Sequence, residues 1–282
     1  MKAYISVDIE GMPGVVSGTM TSPWGSQFAR ASKIMTKVTN VAVDELYNNG
    51  FNEVFVSDSH GLMTNLEYLE LDSRVHVLQG YPRPFSMVSS IDKSFTAVLF
   101  LGYHAAAGTP HGILEHTLNG RAFAEIRVNG VRASEFLLNS LYAGEIGVPV
   151  AFLAGDEHLR KDVELHAPWV VFVPLKKGVS RYSALYPSLE YIEKSVRAGV
   201  KEASSKVRDG AVRTVELSKP YKVELVFRDS VVADLLEEWD IMERLDAYTV
   251  RFIASSARKM LNTIEIASMA CNAIESLKAN LK

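Results

Sequence analysis

Apolar positions recur along the chain with two periods, and each change of period marks an element. Lys2 to Val7 alternates, with Ala3, Ile5 and Val7 on one side and Tyr4 and Ser6 on the other, which predicts a strand at the very start. Ile34, Met35, Val38, Val41, Ala42 and Leu46 then follow helical spacing, and Asn48-Asn49-Gly50 closes that helix as a left-handed cap would. Glu53 to Ser57 is a second apolar strand. Strand, helix and strand in about sixty residues is the pattern of a βαβ unit, whose parallel strands share one carboxyl edge.

Further strands are expected at Val75 to Leu78 and at Phe95 to Tyr103, the latter apolar enough to be buried on both faces. Ala122 to Val128, Asn129-Gly130 and Val131 to Ala133 predict a hairpin, and a helix follows from Glu135 to near Gly144. Val148 to Ala154 and Trp169 to Pro174 read as strands, and Pro187 to Val207 as an amphipathic helix. Around Arg208 to Pro220 the composition turns polar. Beyond it, Tyr221 to Phe227 alternates, Val231 to Trp239 is helical, Ala247 to Ala254 alternates and Arg258 to Leu277 is a long helix. The expected architecture is α/β: a mainly parallel βαβ sheet domain over residues 1–210 and a smaller α+β region over 211–282. The latter holds no histidine, so its expected task is to shape a site or an interface.

Chemistry gathers where the strands stop. The first strand runs into Asp8, Glu10 and Gly11, the second into Asp58 and His60, the apolar run at 95–103 into His104, and the strand at 148–154 into Asp156. Asp8 and Glu10 are two residues apart and point the same way, so they repel and call for a nearby base or cation. A solvated strand exit is the plain alternative, but parallel strands bring His60 and His104 to the same edge, the usual ligand edge of such sheets. His111, Glu115 and His116 lie in the loop beyond, whereas His76 sits between valines and is set aside as structural. Mixed carboxylate and imidazole donors suit Zn²⁺, Mn²⁺ or Fe²⁺ better than Ca²⁺ or Mg²⁺. They exceed what one tetrahedral zinc with an open position needs, which favours two ions sharing a carboxylate and an acidified water, hence hydrolysis.

Composition narrows the partners. A net charge of −3 gives no electrostatic case for nucleic acid or an anionic membrane, and no apolar run is long enough to span a bilayer. The N-terminus has no signal-peptide pattern, and a single cysteine, Cys271, lies on a helical stripe with Met260, Ile264, Ala267 and Ile274, so a cytoplasmic location is expected. Phosphate-binding Gly-Lys-Ser/Thr loops, dinucleotide glycine motifs and nucleophile elbows are missing.

Ser6-Val-Asp-Ile-Glu-Gly11, Ser57-Asp-Ser-His60, Leu101-Gly-Tyr-His-Ala105, the glutamate after the hairpin, Ala154-Gly-Asp156 and Lys176-x-x-Val-Ser-Arg181, in this order, resemble the zinc D-aminopeptidases linked to bacterial dipeptide-transport operons. The resemblance is dense to about residue 183 and thin after 210. It implies two zinc ions per chain, with Asp8 bridging, Glu10 and His104 on one ion, and His60 and Glu135 on the other. His116 matches the family's catalytic histidine, but the loop Ala105 to Glu115 carries one residue more than the family pattern, so His111 is the competing position. A homo-oligomeric ring, a homodecamer with internal sites, is implied too.

The mechanism expected on that basis is attack of a metal-bridging hydroxide on the carbonyl of a short peptide, with His116 moving protons. Asp156 is a candidate for binding the substrate amine, or else caps the helix after it. Lys176 and Arg181 read as solvated loop charge, or as contacts to a substrate carboxylate or neighbouring subunit. Another dinuclear hydrolase, an amidase or phosphoesterase, is the alternative. A non-enzymatic partner of a peptide transporter fits less well, because structural zinc sites usually close on Cys and His.

Overall fold

Strand β1 (Lys2–Val7) sorts its side chains between two hydrophobic clusters: Ala3, Ile5 and Val7 pack into one, Tyr4 into the other. The computed structural model, which describes residues 1–280, builds both clusters on the elements that follow β1. These are α1 (Gly18–Thr21), α2 (Phe28–Asn48), β2 (Glu53–Asp58), β3 (His76–Leu78), β4 (Ala97–Tyr103), β5 (Phe123–Val128), β6 (Val131–Arg132), α3 (Glu135–Ile146) and β7 (Val150–Asp156). Then come α4 (Arg160–His166), β8 (Val171–Ser180), β9 (Ser183–Leu185), α5 (Leu189–Arg208), β10 (Tyr221–Phe227), α6 (Ser230–Leu236), β11 (Glu243–Arg244), β12 (Thr249–Ala254) and α7 (Ala257–Asn280).

The first sheet has the order β3-β2-β1-β4-β7-β8-β9, parallel throughout except for the final β8–β9 pair. Helices α2 and α5 cover one face through residues such as Met35, Val38, Ile192 and Val196, and α3 covers the other through Phe136, Leu137 and Leu141. The chain leaves β1 towards β2 and β3 on one side and returns to β4 on the other. That reversal opens a crevice at the carboxyl ends of β1 and β4, where ligands bind in open α/β sheets.

Two glycines let the backbones close that crevice from below. Asp8 donates its N–H to Leu101 and Gly11 to Gly102, at 2.8 and 2.7 Å. Gly102 has φ +71°, and a Cβ there would stand 1.9 Å from the Asp8 carbonyl oxygen. A Cβ on Gly11 would lie 2.2 Å from the Tyr103 carbonyl oxygen. Both positions therefore exclude any side chain.

The second sheet, β11-β12-β10-β5-β6, is antiparallel and changes the domain picture. Its hairpin β5–β6, with Asn129 and Gly130 at positive φ, comes from the middle of the chain, while β10 and β12 come from beyond residue 220. Val223 pairs with Val128 and Leu225 with Ile126, and one hydrophobic cluster runs from Phe100 and Phe136 through to Phe252 and Ile264. The expected division at residue 210 thus cuts through a shared sheet and core. Helix α3 also runs past Gly144 to Ile146 and ends on Gly147 at φ +93°. Gly144 serves a close approach instead, since a Cβ on it would lie 2.4 Å from the Val215 carbonyl oxygen. Among the described residues no helix is long and apolar enough to cross a membrane.

Gly102→Ala is expected to cost roughly 2–5 kcal/mol, combining left-handed strain with overpacking against backbone that cannot give way. Gly61→Ala, at φ +55° with open space around it, is the control for strain alone and should cost about 1–2 kcal/mol. Urea unfolding midpoints of the two variants check the difference.

Candidate metal centre

Asp8 and Glu10 leave β1 on the side of Tyr4 and Ser6 and are 2% and 5% exposed. His60 follows β2, His104 follows β4, and Glu135 opens α3, whose N-cap Ser134 accepts a hydrogen bond from the Leu137 N–H. His60 Nδ1 lies 2.8 Å from Glu10 Oε2 and 3.4 Å from Asp8 Oδ1. On the opposite side, Asp8 Oδ2 is 3.5 Å from His104 Nε2, itself 3.5 Å from Glu135 Oε2. His116 Nε2 is 3.6 Å from Glu135 Oε1, and the His116 ring stacks on His104 with centroids 4.3 Å apart. Asp8 therefore stands between two triads, one made with Glu10 and His60 and the other of His104, His116 and Glu135. The resemblance pairs Glu10 with His104 and His60 with Glu135. The shortest contacts in the structure instead set Glu10 beside His60 and Glu135 beside His104.

Backbone carbonyls fix the three imidazoles. His60 Nε2 meets the Thr21 carbonyl at 2.7 Å, His104 Nδ1 the Ala105 carbonyl at 3.0 Å, and His116 Nδ1 the Leu114 carbonyl at 3.0 Å. A carbonyl only accepts, so each ring places a proton on that nitrogen and, when neutral, turns a bare lone pair towards the carboxylates. This is how metal-ligating histidines are usually held.

Burial and mutual repulsion govern the charges. Burial first, then Glu10, pushes the Asp8 carboxyl well up. Burial would raise Glu10 too, but the His60 imidazolium beside it more than offsets this and holds Glu10 well below its ordinary range. Burial disfavours the His60 cation, yet Glu10 and Asp8 prevail and raise it well above the usual imidazole value. His104, facing less compensation, is lowered by burial.

The donor set fits a cation. Asp8 Oδ2, Glu10 Oε2 and His104 Nε2 are buried without a hydrogen-bond partner, a costly arrangement unless something positive lies among them. Two donors each about 2.1 Å from a tetrahedral zinc stand roughly 3.4 Å apart. The contacts of Asp8 with His60 and His104, and of Glu135 with His104, have that spacing at 3.4 to 3.5 Å. Imidazole nitrogen with carboxylate oxygen is also zinc's own donor chemistry.

The remaining sequence candidates fall into other places. His111 is exposed, with Nδ1 on the Val179 carbonyl and its ring beside His158, so it is His116 that the loop brings to the carboxylates. Asp58 is fully buried and accepts from Asn65, the Leu66 N–H and Gln79, which ties down the loop carrying His60. Asp156 is corrected: it is fully buried, and its oxygens accept the N–H groups of Ile113 and Gly178 at 3.3 and 3.2 Å, which suits a loop anchor and not an amine-binding acid. It does not cap the following helical turn either. Arg181 pairs with Glu115 beside His116.

Lys176 departs most from its reading as loop charge. It is 2% exposed and donates to the Val15 carbonyl, in the loop that follows Glu10. Burial pushes its ammonium down to about 7, against the pull of Asp156, Glu10 and Asp8. A register shift turns it inward opposite Asp156, and sequence periodicity carries no sign of such a shift. The carbonyls that orient the histidines were likewise beyond sequence reading, because every residue has one.

Residues 1–266 match the model of a family described as D-aminopeptidase. A D-aminopeptidase of Bacillus subtilis (strain 168) is 37% identical over 181 residues, which is 64% of this chain and 65% of that relative. The match to this curated relative thus spans just under two thirds of its length. A solved structure, the Zn-dependent D-aminopeptidase DppA from Bacillus subtilis, a self-compartmentalizing protease, superposes with a TM-score of 0.91 at 28% identity. That similarity covers 96% of this chain and 98% of DppA.

Zinc must displace the proton that the carboxylates hold on His60. The folded-state pKa of His60 lies above its unfolded value of 6.5, so the pairing stabilises fully below 6.5 and is lost as pH rises through the raised value. Zinc added to stripped protein near pH 7 is therefore expected to release protons, with apparent affinity rising with pH. Calorimetry in buffers of differing ionisation enthalpy counts the protons, and binding that ignores pH between 6 and 8 would contradict the assignment.

Proposed function

The chain belongs to the D-aminopeptidase family, and from that premise we propose that it is a zinc-dependent aminopeptidase acting on short peptides with an N-terminal D-residue. The observation that carries the reading is Asp8, buried between His60 on one oxygen and His104 on the other. We assign Asp8 as the carboxylate shared by two ions, His60 and His104 as ligands on its two sides, and Glu10 and Glu135 as the acids that complete them. Zinc bound there supplies a Lewis acid for the scissile carbonyl and lowers the pKa of its water.

His116 is the residue placed to move protons. Its side chain is 17% exposed where His104 has none, so it borders the space a substrate would occupy. Its Nδ1–H is held by Leu114, which leaves Nε2 to take a proton from an attacking water and deliver it to the leaving amine. Glu135 Oε1 lies 3.6 Å from that Nε2. The loop Ala105 to His116 is anchored beneath by Asp156 and at its end by the Glu115–Arg181 pair, which keeps the imidazole in register.

An aminopeptidase loose in the cytoplasm, the location proposed for this chain, must be kept from other proteins. The self-compartmentalizing character of DppA supports a closed homo-oligomer here as well, and a homodecamer is the finer proposal.

Hydrolysis of a D-Ala peptide, its L isomer and an aryl phosphate by the zinc-loaded protein tests the function, and preference for the phosphate would favour a phosphoesterase. Elemental analysis should find two zinc ions per chain. His116→Ala should keep both ions and lose roughly 10²–10⁴-fold in turnover. His111→Ala should stay near wild type, and the reverse pattern would move the catalytic role to His111. Light scattering should report a species many times the 31.1 kDa chain mass.

A further inference from the structure

Directly beneath the centre, four buried side chains join the elements that carry its ligands. Ser6 lies two residues before Asp8 on the same side of β1, Ser59 precedes His60, Tyr103 precedes His104, and Asn139 stands one helical turn after Glu135. Ser6 Oγ is 2.7 Å from Ser59 Oγ and 2.8 Å from the Tyr103 hydroxyl, and Asn139 Nδ2 donates to that hydroxyl at 3.0 Å.

Tyr103 accepts from Asn139 and shares a hydrogen bond with Ser6, Ser6 shares one with Ser59, and both serine hydroxyls also reach the Met87 carbonyl at 3.1 Å. Loss of any member removes a buried hydrogen bond that ties one of these elements to the next. Side chains within one or two residues of a ligand, or one helical turn away, inherit its position almost rigidly. The distances between β1, β2, β4 and α3 at this level therefore set the distances between Asp8, His60, His104 and Glu135 above.

We propose that Ser6, Ser59, Tyr103 and Asn139 are positioning residues that fix the spacing of the metal ligands through this hydrogen-bonded chain, with Tyr103 as its centre. The inference rests on the zinc centre proposed above, but concerns affinity and coordination geometry, not which peptide is cleaved.

The test is zinc affinity, measured by competition with a chromophoric chelator, and the visible spectrum of the cobalt-substituted protein. Tyr103→Phe removes only the central hydroxyl, Ser6→Ala breaks the same chain, and Ser140→Ala is the control, a buried hydroxyl on α3 with no hydrogen-bond partner. Tyr103→Phe and Ser6→Ala should each weaken zinc binding about 10- to 100-fold and shift the cobalt bands. The double variant should lose little more than the worse single, because one chain is broken twice. Ser140→Ala should bind within about twofold of wild type. If both variants melt earlier yet bind zinc with wild-type affinity and spectrum, the hydroxyls only stabilise the fold and the proposal fails. Wild-type protein that binds no zinc would overturn the centre itself, and a zinc-loaded protein inactive on D-peptides would overturn the peptidase reading while leaving the network intact.

Discussion

Burying carboxylates at the edge of a parallel sheet is the constraint to which the rest of this molecule answers. An ionised acid removed from water is costly unless donors or positive charge replace its hydration. Asp58 receives Asn65 and Leu66 from the loop after β2 and Gln79 from just beyond β3, Asp156 receives two backbone N–H groups, and Glu135 accepts from the Leu118 N–H at 2.7 Å. The protein's own donors thus go to the outer acids. Asp8 and Glu10 face only imidazoles, His60 beside both and His104 3.5 Å from Asp8, and oxygens of both are left without a hydrogen bond. A fold could have placed donors there as it did for Asp58. Withholding them leaves the inner pair open to the cation proposed there.

Topology explains why the acids meet at all. Reversal of the chain between β1 and β4 leaves no crossover helix over their carboxyl ends, so the crevice stays open above and the backbones can close below. Gly102 and Gly11 permit that closure, bringing Asp8 and His104 to facing positions on neighbouring strands. The same glycines make the floor of the centre unforgiving, because the atom nearest each is a backbone carbonyl oxygen that cannot move aside as a side chain would.

Much of this was legible in the sequence because strand alternation and strand ends are local properties. The alternation from Ala3 to Val7 gave the direction of Asp8 and Glu10, and the runs ending at His60 and His104 gave the shared edge. The architecture was read correctly as mixed α/β with a mainly parallel sheet. What stayed hidden depends on pairs distant in sequence. The partnership of β5 with β10 joins residues nearly a hundred positions apart, and no period in either strand announces the other. Lys176 looked like loop charge because its burial follows from a register shift against β7. Asp156 looked like an amine-binding or helix-capping acid because a buried anchor and such acids share the same sequence position, a strand end.

The histidine-free C-terminal segment acts on the centre through this long-range pairing. Strand β10 holds β5 by pairing Val223 with Val128, and β5 returns through the Asn129-Gly130 turn into β6. Two residues later Ser134 caps α3, and the first residue of that helix is Glu135. The hairpin alone would be marginal, since two strands bury too little to be stable by themselves. Backed by β10 and β12, and by α7 through Met260 and Ile264 in the shared core, it becomes a rigid lever that delivers Glu135 to His104. The candidate centre therefore gathers Asp8, Glu10, His60 and His104 from strand ends of the parallel sheet and Glu135 from the start of α3, whose entry the antiparallel hairpin positions.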